Sequence, residues 1–118
     1  MKTSTDLKVQ AIAQFLNVDV DTVIVAAYDE NYFEVDGEGE YMVLTDDEAN
    51  DAWDESLDQY IDDCIIPELP EFAARYFDVE AWKRDAQYDG RGHSLSGYDG
   101  EENEIQVDGT WFYIYRTN

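Results

Sequence analysis

The chain has 118 residues, of which 29 are acidic and 7 basic, for a net charge of −22. Hydrophobic residues at 44% and aromatics at 14% exclude a disordered acidic tail, and the length fits a single domain, 1–118, with a modest core. So negative a chain repels nucleic acid and acidic membranes, and attracts basic surfaces such as those of nucleic-acid-binding proteins.

In chain order, residues 5–17 read as a helix capped by Ser4 or Thr5, with Leu7, Ala11, Ile12, Phe15 and Leu16 on its apolar face. Residues 17–21 form a turn, and β-branching favours a strand for TVIVA at 22–26. Residues 31–44 read as a hairpin, with YFEV and YMVL as strands and the Asp36-Gly37-Glu38-Gly39 turn between them.

Residues 45–64, TDDEANDAWDESLDQYIDDC, read as an amphipathic helix. Thr45 and Glu48 have capping-box spacing, and Asp46 and Asp47 suit the positive end of the helix dipole. Ala49, Ala52, Trp53, Leu57, Tyr60, Ile61 and Cys64 form the apolar stripe, which predicts a buried Cys64. Asp47, Asp51, Asp54, Glu55, Asp58 and Asp62 line the opposite face. Four like-charge pairs recur there at i,i+4, at about 0.2–0.5 kcal/mol each, with no Lys or Arg on the helix to relieve them.

The prolines at 67 and 70 break the helical pattern. Pro70 opens a short helix through Tyr76, with Phe72, Tyr76 and Phe77 as packing residues, and Asp78 caps another over 79–86. Residues 87–103 hold four of the seven glycines and read as a long loop, a form that is often functional. The chain closes on a hairpin, EIQV at 104–107 and TWFYIYR at 110–116, around an Asp108-Gly109 turn suited to type I′. The fold class expected is α+β: a small antiparallel sheet from two hairpins, packed with an N-terminal helix and a helical insertion at 45–86. The strand order stays open.

Several constellations fail as chemical sites. Asp19-Val20-Asp21 begins like a calcium loop, but its sixth position is Ile24 rather than Gly, and Glu30 at position twelve lacks the intervening ligands. One Cys and one His are too few for zinc, and Cys64 alone forms no internal disulfide. His93 lies near Ser94, Ser96 and Asp99, but proximity in a loop does not make a triad. The simpler reading has His93 and Arg91 pinning the loop to carboxylates. No Gly-Lys-Ser/Thr follows Gly90 and Gly92, so no phosphate loop forms. No metal, cofactor or catalytic residue is expected. MKTSTDLKVQ lacks an apolar signal segment and no apolar run reaches membrane-spanning length, which points to the cytoplasm.

The placement of the acids is uneven. Between Lys8 and Arg75 there is no basic residue and there are 19 of the 29 acids. From Asp46 to Asp63 nine carboxylates span about 27 Å of helix. That is one per about 3 Å, close to the 3.4 Å charge spacing of one DNA strand. A nucleic-acid mimic accounts for this better than a halophile's housekeeping domain, whose acids would coat every face. A small enzyme or regulatory protein acting through residues 87–103 is the other alternative.

The strings LTDDEA at 44–49, DGRGH at 89–93, YDGEE at 98–102 and FYIYR at 112–116 resemble small acidic accessory proteins encoded by tailed phages and prophages. The resemblance covers most of residues 9–116 and implies a viral or mobile-element origin, with no catalytic residues to carry over. In charge and size the chain also resembles DNA-mimic inhibitors of host defence, of the antirestriction and anti-CRISPR kinds. The function expected is an inhibitor, not an enzyme, occupying the basic DNA- or RNA-binding groove of a host defence protein, as a monomer or homodimer. Its partner-facing residues are Asp47, Asp51, Asp54, Glu55, Asp58 and Asp62, with Glu34, Asp36, Glu38 and Glu40 of the hairpin as a second stripe.

Overall fold

The computed structural model describes residues 3–118. Helix α1, Ser4–Leu16, is capped by Thr3. The Asp6 N–H donates to the Thr3 hydroxyl and the Thr3 N–H to the Asp6 carboxylate, both at 3.1 Å. Ser4 and Thr5 lose this role because neither has an acid three residues on. Asn17 ends the helix at φ 56, a left-handed position that asparagine tolerates.

The sheet has five antiparallel strands: β1 Val23–Val25, β2 Tyr32–Val35, β3 Gly39–Thr45, β4 Asn103–Val107 and β5 Thr110–Arg116. Their order is β1-β2-β3-β5-β4, so β3 and β5 join the two hairpins at the centre. Each hairpin turns where side chains are least constrained. Asp108 and Gly109 both take positive φ, as a type I′ turn requires. Gly37, at φ 80, sits inside a turn closed by the Glu38 N–H on the Val35 carbonyl.

The central strand β3 is covered on both faces and is apolar on both. Tyr41 and Val43 join Phe33, Val35, Phe112 and Ile114 in a core against Ala11 and Ile12 of α1. Met42, Leu44 and Tyr115 pack on the opposite face beneath Ala49 of α2, Asp46–Tyr60. Tyr115 is fully buried, and its hydroxyl donates to Glu102. Burial and that hydrogen bond push the phenol well above its ordinary pKa, so it stays neutral.

The expected helix over 45–64 does not run through. At Tyr60 it widens into a π segment, Ile61–Ile65, followed by a 3₁₀ turn, Ile66–Glu68. The wider turn shifts the phase of the apolar stripe, and Cys64 emerges exposed rather than buried. Helices α3, Glu71–Ala74, and α4, Val79–Ala86, follow. In the 45–86 region, α2 packs on the sheet, with Ala49 and Ala52 against Met42, Leu44 and Tyr115. The rest projects beyond it, giving extents of 55 × 28 × 23 Å. The radius of gyration of 16.7 Å exceeds the roughly 13.5 Å of a compact chain of this length. The expected long loop is also partly helical. It forms a 3₁₀ turn, Gln87–Asp89, and helix α5, Arg91–Leu95, which packs against α2. Among the described residues no helix is long and apolar enough to cross a membrane.

Candidate interaction surface

Helix α2 supplies the surface. Thr45 caps it through the expected box: the Glu48 N–H reaches the Thr45 hydroxyl at 3.3 Å, and the Thr45 N–H reaches Glu48 Oε1 at 2.9 Å. Ala49 and Leu57 face inward, and the carboxylates of the other arc point to solvent.

The structure divides the nine carboxylates of residues 46–63 into two sets. Four are held by cations from elsewhere in the chain. Lys83 of α4 lies 2.9 Å from Asp54 and 2.6 Å from Asp58, with its own side chain only 9% exposed. Hydrogen bonds to Asp58 and Asp54 raise the Lys83 pKa to about 12. Arg91 of α5 binds Asp46 at 2.8 Å and Glu102 at 2.7 Å. Lys8 of α1 reaches Glu48 at 2.8 Å. Burial alone would push the Glu48 carboxyl up, but the hydrogen bonds from Lys8 and Thr45 outweigh it and leave the pKa lowered.

Asp54 and Asp58, expected to face a partner, are therefore already paired. The i,i+4 repulsion between them becomes a bridge. The second set, Asp47, Asp51 and Glu55 of α2 and Asp62 and Asp63 of the π segment, is exposed and makes no ion pair or hydrogen bond with any described residue. With three cations set against the nine carboxylates of residues 46–63, the spacing of unpaired charge there is wider than the sequence suggests.

The hairpin stripe divides as well. Glu34 and Glu40 are cross-strand neighbours on the α2 side of the sheet. Glu40 accepts the Tyr28 hydroxyl at 2.6 Å and is half-buried, whereas Glu34 is exposed. The bond to Glu40 raises the Tyr28 pKa to about 12, so this phenol is a lasting donor. Asp36 and Glu38 lie in the exposed turn.

Between α2 and this hairpin runs an open groove of about 340 Å³, which sequence reasoning missed. Tyr32, Met42 and Ala52 line it, with Asp29, Asp51 and Glu55 along it. The Tyr28 ring lies 5.5 Å from that of Tyr32 and links the groove to Glu40. The alternation in β2 already placed Tyr32 and Glu34 on one face. That α2 stops short of covering them is a tertiary fact.

The residues near His93 do not assemble with it. The Ser96 hydroxyl lies 2.8 Å from Asp99 Oδ1 and 2.7 Å from the Arg116 carbonyl oxygen. Ser94 accepts the Trp53 indole N–H at 3.1 Å. His93 is exposed at the edge of a cleft shared with Tyr60, Trp82 and Asp89. Arg91, rather than His93, pins the segment. Among the described residues no three His, Cys, Asp or Glu side chains converge as metal ligands. No protein-family model, no curated protein and no solved structure matches this chain.

Proposed function

We propose that this protein is an acidic inhibitor that occupies the basic nucleic-acid-binding surface of another protein, in the manner of a nucleic-acid mimic. A phage-encoded inhibitor of a host defence nuclease or its recognition complex, acting stoichiometrically in the host cytoplasm, is the form this reading takes. The observation that carries it is the exposed arc of α2, where Asp47, Asp51 and Glu55, followed by Asp62 in the π segment, have no cation among the described residues. A helix selected only for solubility would intersperse Lys with these acids. Glu34, Asp36 and Glu38 extend the same field beyond the groove, while Asp54, Asp58 and Glu40 contribute through a pairing that a partner's cations can share.

Competition tests the reading. The protein is expected to displace DNA or RNA from its target and to bind no nucleic acid itself. A ternary complex with the nucleic acid still in place would sink simple mimicry. Affinity is also expected to fall steeply with salt, because the Debye length drops from about 8 Å at physiological ionic strength to about 3 Å at 1 M. Affinity that is flat across that range would show an interface not led by charge.

A further inference from the structure

The fold holds two of its own arginines in a shared way. The Arg91 guanidinium lies 4.6 Å from the centre of the Tyr113 ring while donating to Asp46, Asn50 and Glu102. Arg116 lies 3.8 Å from the Tyr98 ring and 5.8 Å from that of Tyr41, and donates to the Asn118 carbonyl at 3.2 Å. A tyrosine face supplies cation–π attraction, and nearby oxygens take the N–H groups.

The groove beside α2 has the same components and no basic side chain among its lining residues. Tyr32 supplies the ring, with Tyr28 beside it. Met42 and Ala52 supply an apolar floor for an aliphatic stem. Asp51 and Glu55, one helical turn apart, present two free carboxylates, and Asp29 lies across from them, one oxygen taken by the Asn31 N–H. Glu48 contributes less, since Lys8 already neutralises it. At about 340 Å³ the groove is at the low end of small-molecule sites, which span about 300–1,000 Å³, and suits a long side chain.

We propose that this groove is a seat for an arginine side chain presented by the basic partner protein, which fixes that partner's register on α2. The seat rests on the inhibitor reading for its partner but makes a separate claim about where and how the contact is made. Lysine fills it less well, because its ammonium lacks the planar fork that can stack on Tyr32 while binding two carboxylates.

The probe is a short amphipathic helical peptide with arginines along one face, alongside its lysine and citrulline versions. Binding is read by fluorescence anisotropy and by NMR of the Met42 methyl and Tyr32 ring. The arginine peptide is expected to shift both resonances, the citrulline peptide neither, and the lysine peptide to bind several-fold more weakly. The pair Asp51→Asn/Glu55→Gln should weaken arginine-peptide binding about tenfold, and the equally charged pair Asp47→Asn/Asp62→Asn by about threefold or less. Equal losses in the two pairs, or equal binding of lysine and arginine peptides, would overturn the seat while leaving charge-led inhibition standing. Shifts confined to the outer arc of α2 would overturn it too. Localised binding by a protein that fails to displace nucleic acid from a basic groove would support the seat and sink the inhibitor reading.

Discussion

Lys83 shows how one side chain changes the meaning of several others. It is 8% exposed and bridges Asp54 and Asp58, which are themselves largely open to water. Lys83→Met removes the bridge and restores the repulsion between the two carboxylates. The solvent around Asp54 and Asp58 screens the pair, so the expected loss is about 1–2 kcal/mol rather than that of a fully buried ion pair. Urea unfolding measures it, and unchanged stability would mean the bridge is only a surface contact. Gly92 is constrained differently. A Cβ there would lie 2.6 Å from the Glu102 nitrogen and 2.8 Å from the Gly100 carbonyl, both backbone atoms. Gly92→Ala must therefore displace α5 or the segment after it, at about 1–3 kcal/mol. That shift would also loosen Arg91 from Asp46, so the variant should show faster amide exchange at the start of α2.

At the scale of the element, α2 carries two sets of acids with opposite consequences. Changing Asp47, Asp51 and Glu55 to their amides relieves two like-charge i,i+4 pairs, which favours folding by up to about 1 kcal/mol. The melting temperature is expected to hold or rise by a few degrees, about 4 °C at most. The same variant is expected to bind the proposed basic partner more weakly, because each change removes an unpaired charge. Asp54→Asn/Asp58→Asn is expected to do the reverse for stability, lowering the melting temperature by stranding the nearly buried Lys83 ammonium. If the two sets moved together in thermal melts, the division of the face into paired and free carboxylates would be wrong. The π segment at Ile61–Ile65 ends the regular α-helical stretch of α2. Just before it, Tyr60 stacks on Trp82 with ring centres 5.5 Å apart, an aromatic contact tying α4 back to α2.

For the whole molecule, stability reflects a balance between self-repulsion and a few carboxylates that must stay ionised. With a net charge of −22 and a pI near 4.1, lowering the pH from neutrality relieves repulsion and favours the folded chain. Asp99 and Glu48 set the acid limit. Hydrogen bonds from the Ser96 hydroxyl and the Glu101 N–H lower the Asp99 pKa, and Lys8 and Thr45 lower that of Glu48 despite burial. A carboxylate depressed in the folded state adds stability above its unfolded value of about 4, and loses it as pH falls through the folded value. The melting temperature is therefore expected to peak near about pH 5 and fall on both sides. Calorimetry across that range checks this, and a melting temperature that climbed steadily to neutral pH would show that self-repulsion is negligible.

The sequence by itself determined what depends on neighbours along the chain. The two hairpins, the Asp108-Gly109 turn, the Thr45–Glu48 box and the Asp78 cap were legible because turns and caps are set within a few residues. Period-two alternation in YFEV gave Phe33 and Val35 as buried, and helical spacing in α2 gave Ala49 and Leu57 but not Tyr60, which is half-exposed; together they made the α+β class legible. Only the tertiary structure decided which charges meet. Lys8, Lys83 and Arg91 lie 40, 29 and 45 residues from the α2 carboxylates they hold, and no local pattern brings them there. The strand order, the exposure of Cys64 and the groove beside Tyr32 were decided the same way. Each depends on packing against the whole core, which side-chain spacing along one element does not encode.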